Sequence, residues 1–286
     1  MTTRIFSGDL RIDAIDPRDR GLAYGDGVFE TILVHRSAPV WWDAHLARLQ
    51  RGCDVLGIAA PDPGFLRAEI DAMADGCARA VLKLIVTRGI SERGYARSSH
   101  APPTVVLSLS GAPPSTPRDG LNLRWCETPL AIQPRLAGIK HLNRLEQVLA
   151  RAEWGDADSN RPVIHEGLQC DTAGRVVSAT SANLFVLRDG RWLTPPIAAC
   201  GIAGVCRGWI LGHVAESAEA ALARGEVESA DAIVLCNAVR GILPVAALGP
   251  RRWVPNAATI ALWQRLAEAE PAFGPTHGSQ DSSEET

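Results

Sequence analysis

The chain has 286 residues, of which 46% are hydrophobic, and a formal net charge of -3 from 29 basic and 32 acidic side chains. This length allows two modest domains or one large domain with an ample core. The balanced charge excludes a global basic surface for nucleic acid or for an anionic membrane, so we expect a small-molecule ligand.

Seven scattered cysteines without a C-x-x-C pair indicate neither a disulfide framework nor a zinc site. They favour a reducing cytoplasm. The first residues lack the apolar segment of a signal peptide, and no apolar run reaches the ~18 residues of a membrane span. We therefore expect a soluble cytoplasmic protein without a metal site, a membrane contact or a nucleic-acid partner.

The first half of the chain has strand-like runs and the apolar stripes of two helices. The predicted strands are residues 28–35, 39–42, 81–87 and 104–110. The predicted helices are residues 43–57, with Asp43 as the N-cap, and residues 64–75.

Three prolines within residues 113–117 deny both a helix and a central strand, and they mark the clearest linker in the chain. We predict an N-terminal α/β domain over residues 1–112, a linker over 113–119 and a C-terminal domain over 120–272. Residues 273–286 are expected to form a disordered tail, because the end of the chain is polar and acidic.

The second half contains short strands and three helices. The predicted strands are residues 121–125, 183–187, 192–194, 232–236 and 242–245. One predicted helix begins after Asn143, and the other two occupy residues 204–215 and 257–269.

Lys140 lies between apolar residues, just ahead of one of these helices. Asn143 followed by Glu146 has the spacing of a capping box, which places the lysine outside the helix and near its positive end. The helix dipole and burial would both lower its pKa from the ordinary ~10.4 and make the amine nucleophilic. The alternative is a surface lysine whose stem covers its apolar neighbours.

Two loops could bind anions. Residues 201–204 precede a helix, so their free N–H groups could hold a phosphate, and Arg240 lies in a polar loop between two strands. Lys83 and Arg93, with Tyr95 nearby, could meet substrate carboxylates. Each signal has an ordinary alternative, which is a solvated turn or surface charge.

Seven segments occur in a fixed order between residues 4 and 250. They are residues 24–31, 45–49, 83–89 with 93–95, 139–147, 181–185, 201–204, and Asn237 with 244–245. In this order they resemble the class IV, branched-chain-type family of pyridoxal 5'-phosphate (PLP) enzymes. Residues 139–147 and the 87–95 loop look most like those of the 4-amino-4-deoxychorismate lyases, which form 4-aminobenzoate and pyruvate in folate biosynthesis.

The resemblance implies a mixed α+β, two-domain fold of type IV, like that of D-amino-acid aminotransferase. A smaller N-terminal α/β domain would precede a larger C-terminal domain whose short strands form a barrel-like sheet. The resemblance also implies PLP as the cofactor, aminodeoxychorismate as the small-molecule substrate, and a homodimer with active sites near its interface.

Carried over residue by residue, the resemblance makes Lys140 the Schiff-base lysine and general base, and Thr31 the proton donor to the departing pyruvate fragment. The implied cofactor-binding residues are Lys140, Arg48, Ser178, Ile202, Ala203, Asn237 and Ala238. The candidate substrate-binding residues are Lys83, Arg93, Tyr95 and Arg240.

One position departs from the family pattern. Ser178 stands where most members have a glutamate that pairs with the pyridine nitrogen of PLP. A carboxylate keeps this nitrogen protonated and the ring strongly electron-withdrawing; serine can donate a hydrogen bond but cannot supply the negative charge. Transamination depends strongly on an acidified ring, whereas the lyase reaction is driven by aromatisation of its product, so Ser178 favours a lyase. A D-amino-acid or branched-chain aminotransferase and a non-catalytic PLP-binding homodimer stay open as alternatives.

Overall fold

Two β-sheets organise the residues that the structure describes, one of six strands in the first half and one of nine strands in the second half. The computed structural model describes residues 1–91, 94–96, 101–113, 119–155 and 163–274. Residues 114–118 of the predicted linker and 275–286 of the predicted tail lie outside them. None of the helices in the described ranges is long and apolar enough to cross a membrane.

The N-terminal sheet has the strand order β2-β1-β6-β5-β3-β4, and all neighbouring strands are antiparallel. Its strands are β1 (Thr2–Ser7), β2 (Leu10–Ile12), β3 (Gly27–His35), β4 (Ala38–Pro39), β5 (Arg79–Thr87) and β6 (Thr104–Gly111). The helices of this half are α1 (Arg20–Tyr24), α2 (Trp42–Leu56) and α3 (Pro63–Ala74).

The two faces of β3 have different surroundings. Val28 packs in a core cluster with Leu49 of α2 and Ile70 of α3, and full burial of such a side chain stabilises the fold by ~1.5–3 kcal/mol. Phe29 and Thr31 alternate with the buried positions and are only half-buried. The predicted alternation along this strand is confirmed, and it leaves one face of β3 free to form a site.

The predicted strands and helices of this half are present, but two local details are wrong. Helix α2 begins at Trp42, and the preceding Trp41 has a left-handed φ of 53° and makes no side-chain cap bond. Asp43 therefore lies in the first turn and is not the N-cap. The return strand ends at Pro39 instead of residue 42, because the chain turns into the helix at Trp41.

The C-terminal sheet has the strand order β12-β11-β10-β13-β14-β7-β8-β9, with β15 paired to β14. Its strands are β7 (Leu121–Trp125), β8 (Glu166–Cys170), β9 (Val176–Ala179), β10 (Asn183–Arg188), β11 (Arg191–Thr194), β12 (Ser217–Glu219), β13 (Ala232–Asn237), β14 (Gly241–Leu248) and β15 (Arg251–Arg252). The helices are α4 (Leu145–Arg151), α5 (Val205–His213), α6 (Arg224–Glu228) and α7 (Ala257–Ala269). This sheet contains both parallel and antiparallel pairs of short strands, and the predicted mixed α+β fold class is confirmed.

Two boundaries of this half differ from the prediction. Helix α5 is shorter than residues 204–215, because Gly204 is its N-cap and Val214 is extended. Phe273, assigned to the tail, lies in a short 3-10 helix (Pro271–Phe273), and its ring centroid is 4.8 Å from that of Trp41. The folded chain therefore extends at least to Phe273.

The two sheets share a core where they meet. Leu33 and Val40 from the first half lie in one buried cluster with Phe185 and Ile210 from the second half. The segment that carries Lys140 crosses this junction, so residues of both halves can surround the lysine.

Candidate active site

Lys140 lies in an extended segment that is held from both sides. Its carbonyl oxygen accepts the N–H of Phe29 at 2.9 Å, which attaches the segment to the free edge of β3. Two residues earlier, the N–H of Gly138 donates to Gly201 O at 3.0 Å, in the loop before α5. These bonds fix the lysine between the two halves of the molecule.

The capping box predicted after the lysine is wrong. Helix α4 begins at Leu145 without a side-chain cap. Asn143 donates instead to Gly25 O at 3.1 Å, and Glu146 accepts the N–H of Ala131 at 2.8 Å. Both side chains bind chain segments that are distant in sequence, which local spacing could not reveal.

The Lys140 amine is desolvated and lies near positive charge. Burial, followed by the charge of Arg48, lowers the pKa of Lys140 from 10.5 to about 7, although the Glu30 carboxylate opposes the shift. The Nζ atom is 4.3 Å from the centroid of the Phe29 ring. Near neutral pH a large fraction of the amine is therefore unprotonated and able to act as a nucleophile or a base.

Three side chains of the N-terminal sheet share the face on which the lysine amine lies. Thr31 on β3 is directly opposite Lys83 on β5, and Phe29 lies two residues before Thr31 on the same face. The Nζ atom of Lys83 is 5.5 Å from the centroid of the Phe29 ring. The amines of Lys140 and Lys83 thus lie near one aromatic ring, and Thr31 lies on the same face of the sheet.

Glu30 occupies the opposite face of β3 and binds two side chains of α2. Its Oε1 accepts Nε of Arg48 at 2.8 Å, and its Oε2 accepts Nη2 of the same guanidinium. The Nδ1 atom of His45 lies 2.7 Å from Oε2. Burial alone would raise the pKa of Glu30, but the hydrogen bonds and charge of Arg48 outweigh it and lower the pKa to about 2. The ionised carboxylate therefore fixes the orientation of Arg48.

The free end of Arg48 points to the start of α5. Its Nη1 donates to Ala203 O at 3.1 Å. Gly204 precedes the helix without a side-chain cap, so the first-turn N–H groups of Val205 and Cys206 have no acceptor within the helix. A helix N-terminus beside a fixed guanidinium suits a phosphate group.

Ile202 and Ala203 lie next to this helix start, but their backbone is partly engaged. The N–H of Ala203 donates to Gly138 O at 3.0 Å, and Ile202 O accepts Nδ2 of Asn183 at 3.0 Å. A Cβ atom at Gly204 would overlap Oδ1 of Asn183, so this approach requires glycine. The first turn of α5 offers freer donors, and the sequence prediction missed it because it began the helix at Gly204.

Asn237 shapes the second loop of the site. Its Oδ1 accepts the N–H of Val239 at 3.0 Å, which closes a turn around Ala238. Just before this turn, the thiol of Cys236 contacts the thiol of Cys206 in the first turn of α5. Burial and then this contact raise the pKa of Cys206. The turn therefore lies beside the start of α5.

The substrate-loop candidates have different positions. Tyr95 is 85% exposed, and its loop is held by Arg20, whose Nη1 donates to Gly94 O at 3.0 Å. Arg93 lies outside the described residues. Arg240 is exposed on the surface. No contact joins Tyr95 or Arg240 to the lysine amine within the ranges that the structure covers.

Ser178 lies in β9 and is 9% exposed, directly opposite Gln169 of β8. Nε2 of Gln169 lies 3.5 Å from Glu146 O, which links β8 to the helix that follows Lys140. This contact places Ser178 on the sheet face that packs against α4.

Sequence reasoning missed the contact of Glu30 with Arg48. Glu30 stands inside the 24–31 segment, and its acidic side chain on a strand of mostly apolar residues was the available signal.

Comparisons with known proteins agree with this arrangement. A sequence profile described as amino-transferase class IV matches residues 27–248. The chain is 33% identical over 242 residues to aminodeoxychorismate lyase of Vibrio harveyi, a match covering 80% of this chain and 86% of that protein. It is 26% identical over 258 residues to D-alanine aminotransferase of Bacillus licheniformis, covering 82% and 83%. The crystal structure of 4-amino-4-deoxychorismate lyase from Pseudomonas aeruginosa has a TM-score of 0.84 and 42% identity, covering 92% of this chain and 98% of that chain.

Proposed function

Since the chain belongs to the amino-transferase class IV family, we propose that it is a PLP-dependent lyase. Its substrate is 4-amino-4-deoxychorismate, and its products are 4-aminobenzoate and pyruvate. The observation that carries this proposal is the Lys140 amine, whose pKa is lowered to about 7 and which lies on the same face as Thr31 and Lys83.

The residues of the site fit PLP. Arg48, the first-turn N–H groups of α5 and the turn of Asn237 and Ala238 would hold its phosphate. The desolvated Lys140 amine would bond to the aldehyde carbon of PLP. When bound, PLP supplies an electron-withdrawing ring that stabilises negative charge on the carbon that bears the substrate amine.

Lys140 acts as the general base. Its amine would remove the proton from the amine-bearing carbon of the substrate ring. A base with a pKa near the working pH is the most effective at such a transfer, and the pKa of Lys140, at about 7, lies there.

Thr31 completes the reaction. As the carbon-oxygen bond to the enolpyruvate group breaks, the ring becomes aromatic, and the Thr31 hydroxyl delivers a proton to the methylene carbon of the departing group to give pyruvate. Lys83, directly opposite Thr31, binds a substrate carboxylate. Arg93, Tyr95 and Arg240 are proposed as further substrate contacts.

Two observations favour a lyase over an aminotransferase. The similarity is greater to the Vibrio and Pseudomonas lyases, at 33% and 42% identity, than to the Bacillus aminotransferase, at 26%. Ser178 also lacks the carboxylate that transamination requires of the ring-nitrogen partner. The test is to supply chorismate, glutamine and an aminodeoxychorismate synthase and to measure 4-aminobenzoate. Rapid conversion of bound PLP to its amine form by D-alanine or a branched-chain amino acid would instead identify an aminotransferase.

A second copy of the chain is the proposed partner. Leu145, Val148 and Leu149 form an apolar stripe on α4 and are 75%, 60% and 59% exposed, an arrangement that suits burial in a homodimer. Val148→Lys should give a monomer in sedimentation velocity if the stripe is the interface. All seven cysteines are free thiols, which supports a cytoplasmic location.

A further inference from the structure

Gln169 and Ser178 are neighbours on adjacent antiparallel strands. They form a direct cross-strand pair between β8 and β9, and the register shifts immediately after Gln169. Direct partners project to the same face of a sheet, with Cβ atoms about 4.5–5.5 Å apart. Register shifts of this kind re-aim side chains beside functional sites.

Hydrogen bonds of the Gln169 amide determine its orientation. The side chain is fully buried, at 0% exposure. Its Nε2 lies 3.2 Å from Thr128 O and 3.5 Å from Glu146 O. Two carbonyl neighbours require an NH₂ group at that position, so Oε1 must be the opposite end of the amide.

The Oε1 atom of Gln169 is buried and accepts no hydrogen bond from any described residue. Buried polar atoms are almost always hydrogen-bonded, because an unsatisfied one is strongly destabilising. The Ser178 hydroxyl, across the strand pair, is the donor nearest in register. A hydroxyl has one proton and two acceptor lone pairs, so a serine that donates to Gln169 can only accept from a third group.

We infer that Gln169 and Ser178 together form the partner of the PLP ring nitrogen, with Ser178 donating to Gln169 Oε1 and accepting from the protonated nitrogen. This inference rests on the proposed PLP chemistry. Ser178 contacts the cofactor, and Gln169 is a positioning residue that sets the direction of the serine proton. A neutral acceptor holds the ring proton less tightly than a carboxylate would, which suits a reaction whose product is aromatic.

Glu166 is a buried carboxylate of β8, but its oxygens already accept hydrogen bonds. It lies two residues from Leu168, on the face of β8 opposite Gln169. Its oxygens accept the hydroxyls of Thr180 and Ser181, which fixes the turn after β9. The ring-nitrogen role therefore falls to the Gln169 and Ser178 pair.

The test is NMR of the protein reconstituted with PLP that carries ¹⁵N in the ring, together with the PLP dissociation constant. Wild type should give the signal of a protonated nitrogen. In Gln169→Met the freed serine proton turns to the ring, so the signal should become that of an unprotonated nitrogen and the dissociation constant should rise about tenfold. Gln147→Met is the matched control, since Gln147 also has a buried Oε1 without a described partner but lies in α4, outside the strand pair that contains Ser178, and it should leave both readouts unchanged.

A double-mutant cycle separates this role from general packing. If Gln169 acts through Ser178, then Gln169→Met should change neither readout in a Ser178→Ala background. If Gln169→Met does not fold, Ser178→Ala and Ser178→Thr provide the same test, because only threonine keeps the hydroxyl and should keep the protonated signal. PLP bound at Lys140 with an unprotonated nitrogen in wild type, or additive effects in the cycle, would overturn the inference alone. Failure of wild type to bind PLP would overturn the proposed function as well.

Discussion

The carboxylate of Glu30 accepts hydrogen bonds from Nε and Nη2 of Arg48, and Nη1 of Arg48 donates to Ala203 O at 3.1 Å. Both side chains are buried, so the pair is shielded from solvent and salt. Glu30 therefore sets the direction in which Arg48 presents its charge to the start of α5.

Replacing Glu30 tests this arrangement. We expect Glu30→Gln to lower the free energy of unfolding by ~3 kcal/mol, because it leaves a buried arginine without its counter-charge. Loss of the fixed orientation should also weaken PLP binding about tenfold. Urea unfolding and absorbance titration of the apoprotein with PLP measure the two effects.

The control is Glu69→Gln, which removes the more exposed ion pair between Arg4 and Glu69, 2.6 Å long. Such pairs contribute ~0–1 kcal/mol, so PLP affinity should not change. Equal effects of the two substitutions would contradict a specific role for Glu30.

Helix α5 allows a matched pair of glycine substitutions. Gly204→Ala should weaken PLP binding and lower the free energy of unfolding by ~1–3 kcal/mol, because the added Cβ overlaps Asn183 Oδ1 at the proposed phosphate site. Gly208→Ala, in the same helix, meets nothing within 4 Å and should stabilise the protein by ~0.5–1 kcal/mol. Thermal unfolding and PLP titration of both variants show whether the start of α5 requires glycine for stability and for PLP binding.

The pKa of Lys140 predicts a pH-dependent cost to the stability of the apoprotein. The folded pKa is about 7, whereas an unfolded lysine titrates near ~10.4. Between these pKa values the unfolded chain binds more protons than the folded chain, so Lys140 destabilises the folded protein. This destabilisation is absent above the unfolded pKa, grows as the pH falls, and is complete below the folded pKa. Lys140→Met should therefore stabilise the apoprotein by at least about 1 kcal/mol at pH 7.

Urea unfolding of wild type and Lys140→Met from pH 6 to pH 10 gives this difference directly. The difference in the free energy of unfolding between the two proteins should shrink toward pH 10. A difference that does not vary with pH would mean that Lys140 keeps its ordinary pKa in the folded protein.

Thr31 is expected to act only in the chemical step. Thr31→Val keeps the shape of the side chain but removes the hydroxyl, and loss of a positioned proton donor lowers a rate by ~10²–10⁴-fold. The rate of pyruvate release should fall in that range while the PLP spectrum and affinity stay unchanged. A variant with the wild-type rate would remove Thr31 from the mechanism.

The family and most of the central elements could be predicted from the sequence, because each of the seven segments carries residues in a fixed order. The family assignment is confirmed by the profile match over residues 27–248. The alternation of β3 also predicted that Phe29 and Thr31 share a face, since that pattern depends only on local backbone geometry.

The missed features depend on long-range contacts. Arg48 is buried in α2 because Glu30, 18 residues earlier, neutralises its charge, and sequence spacing alone did not indicate this pairing. Asn143 had the spacing of a helix cap but binds Gly25, 118 residues away. The orphaned Oε1 of Gln169 follows from strand register and from carbonyl groups in two other segments, and no local pattern encodes either.

The most direct test asks whether PLP attaches to Lys140 and whether formation of 4-aminobenzoate requires this residue. Lys83 and Lys140 are the only lysines in the chain, so a label can be assigned to one of two positions. Wild type, Lys140→Ala and Lys83→Arg are each incubated with PLP, reduced with borohydride and mapped by mass spectrometry. The same preparations are supplied with chorismate, glutamine and an aminodeoxychorismate synthase. We predict a label on Lys140 in wild type and Lys83→Arg, none in Lys140→Ala, and equal amounts of 4-aminobenzoate and pyruvate only where Lys140 is present. A PLP-loaded wild type that forms no 4-aminobenzoate, or a Lys140→Ala variant that forms it at the wild-type rate, would contradict the account.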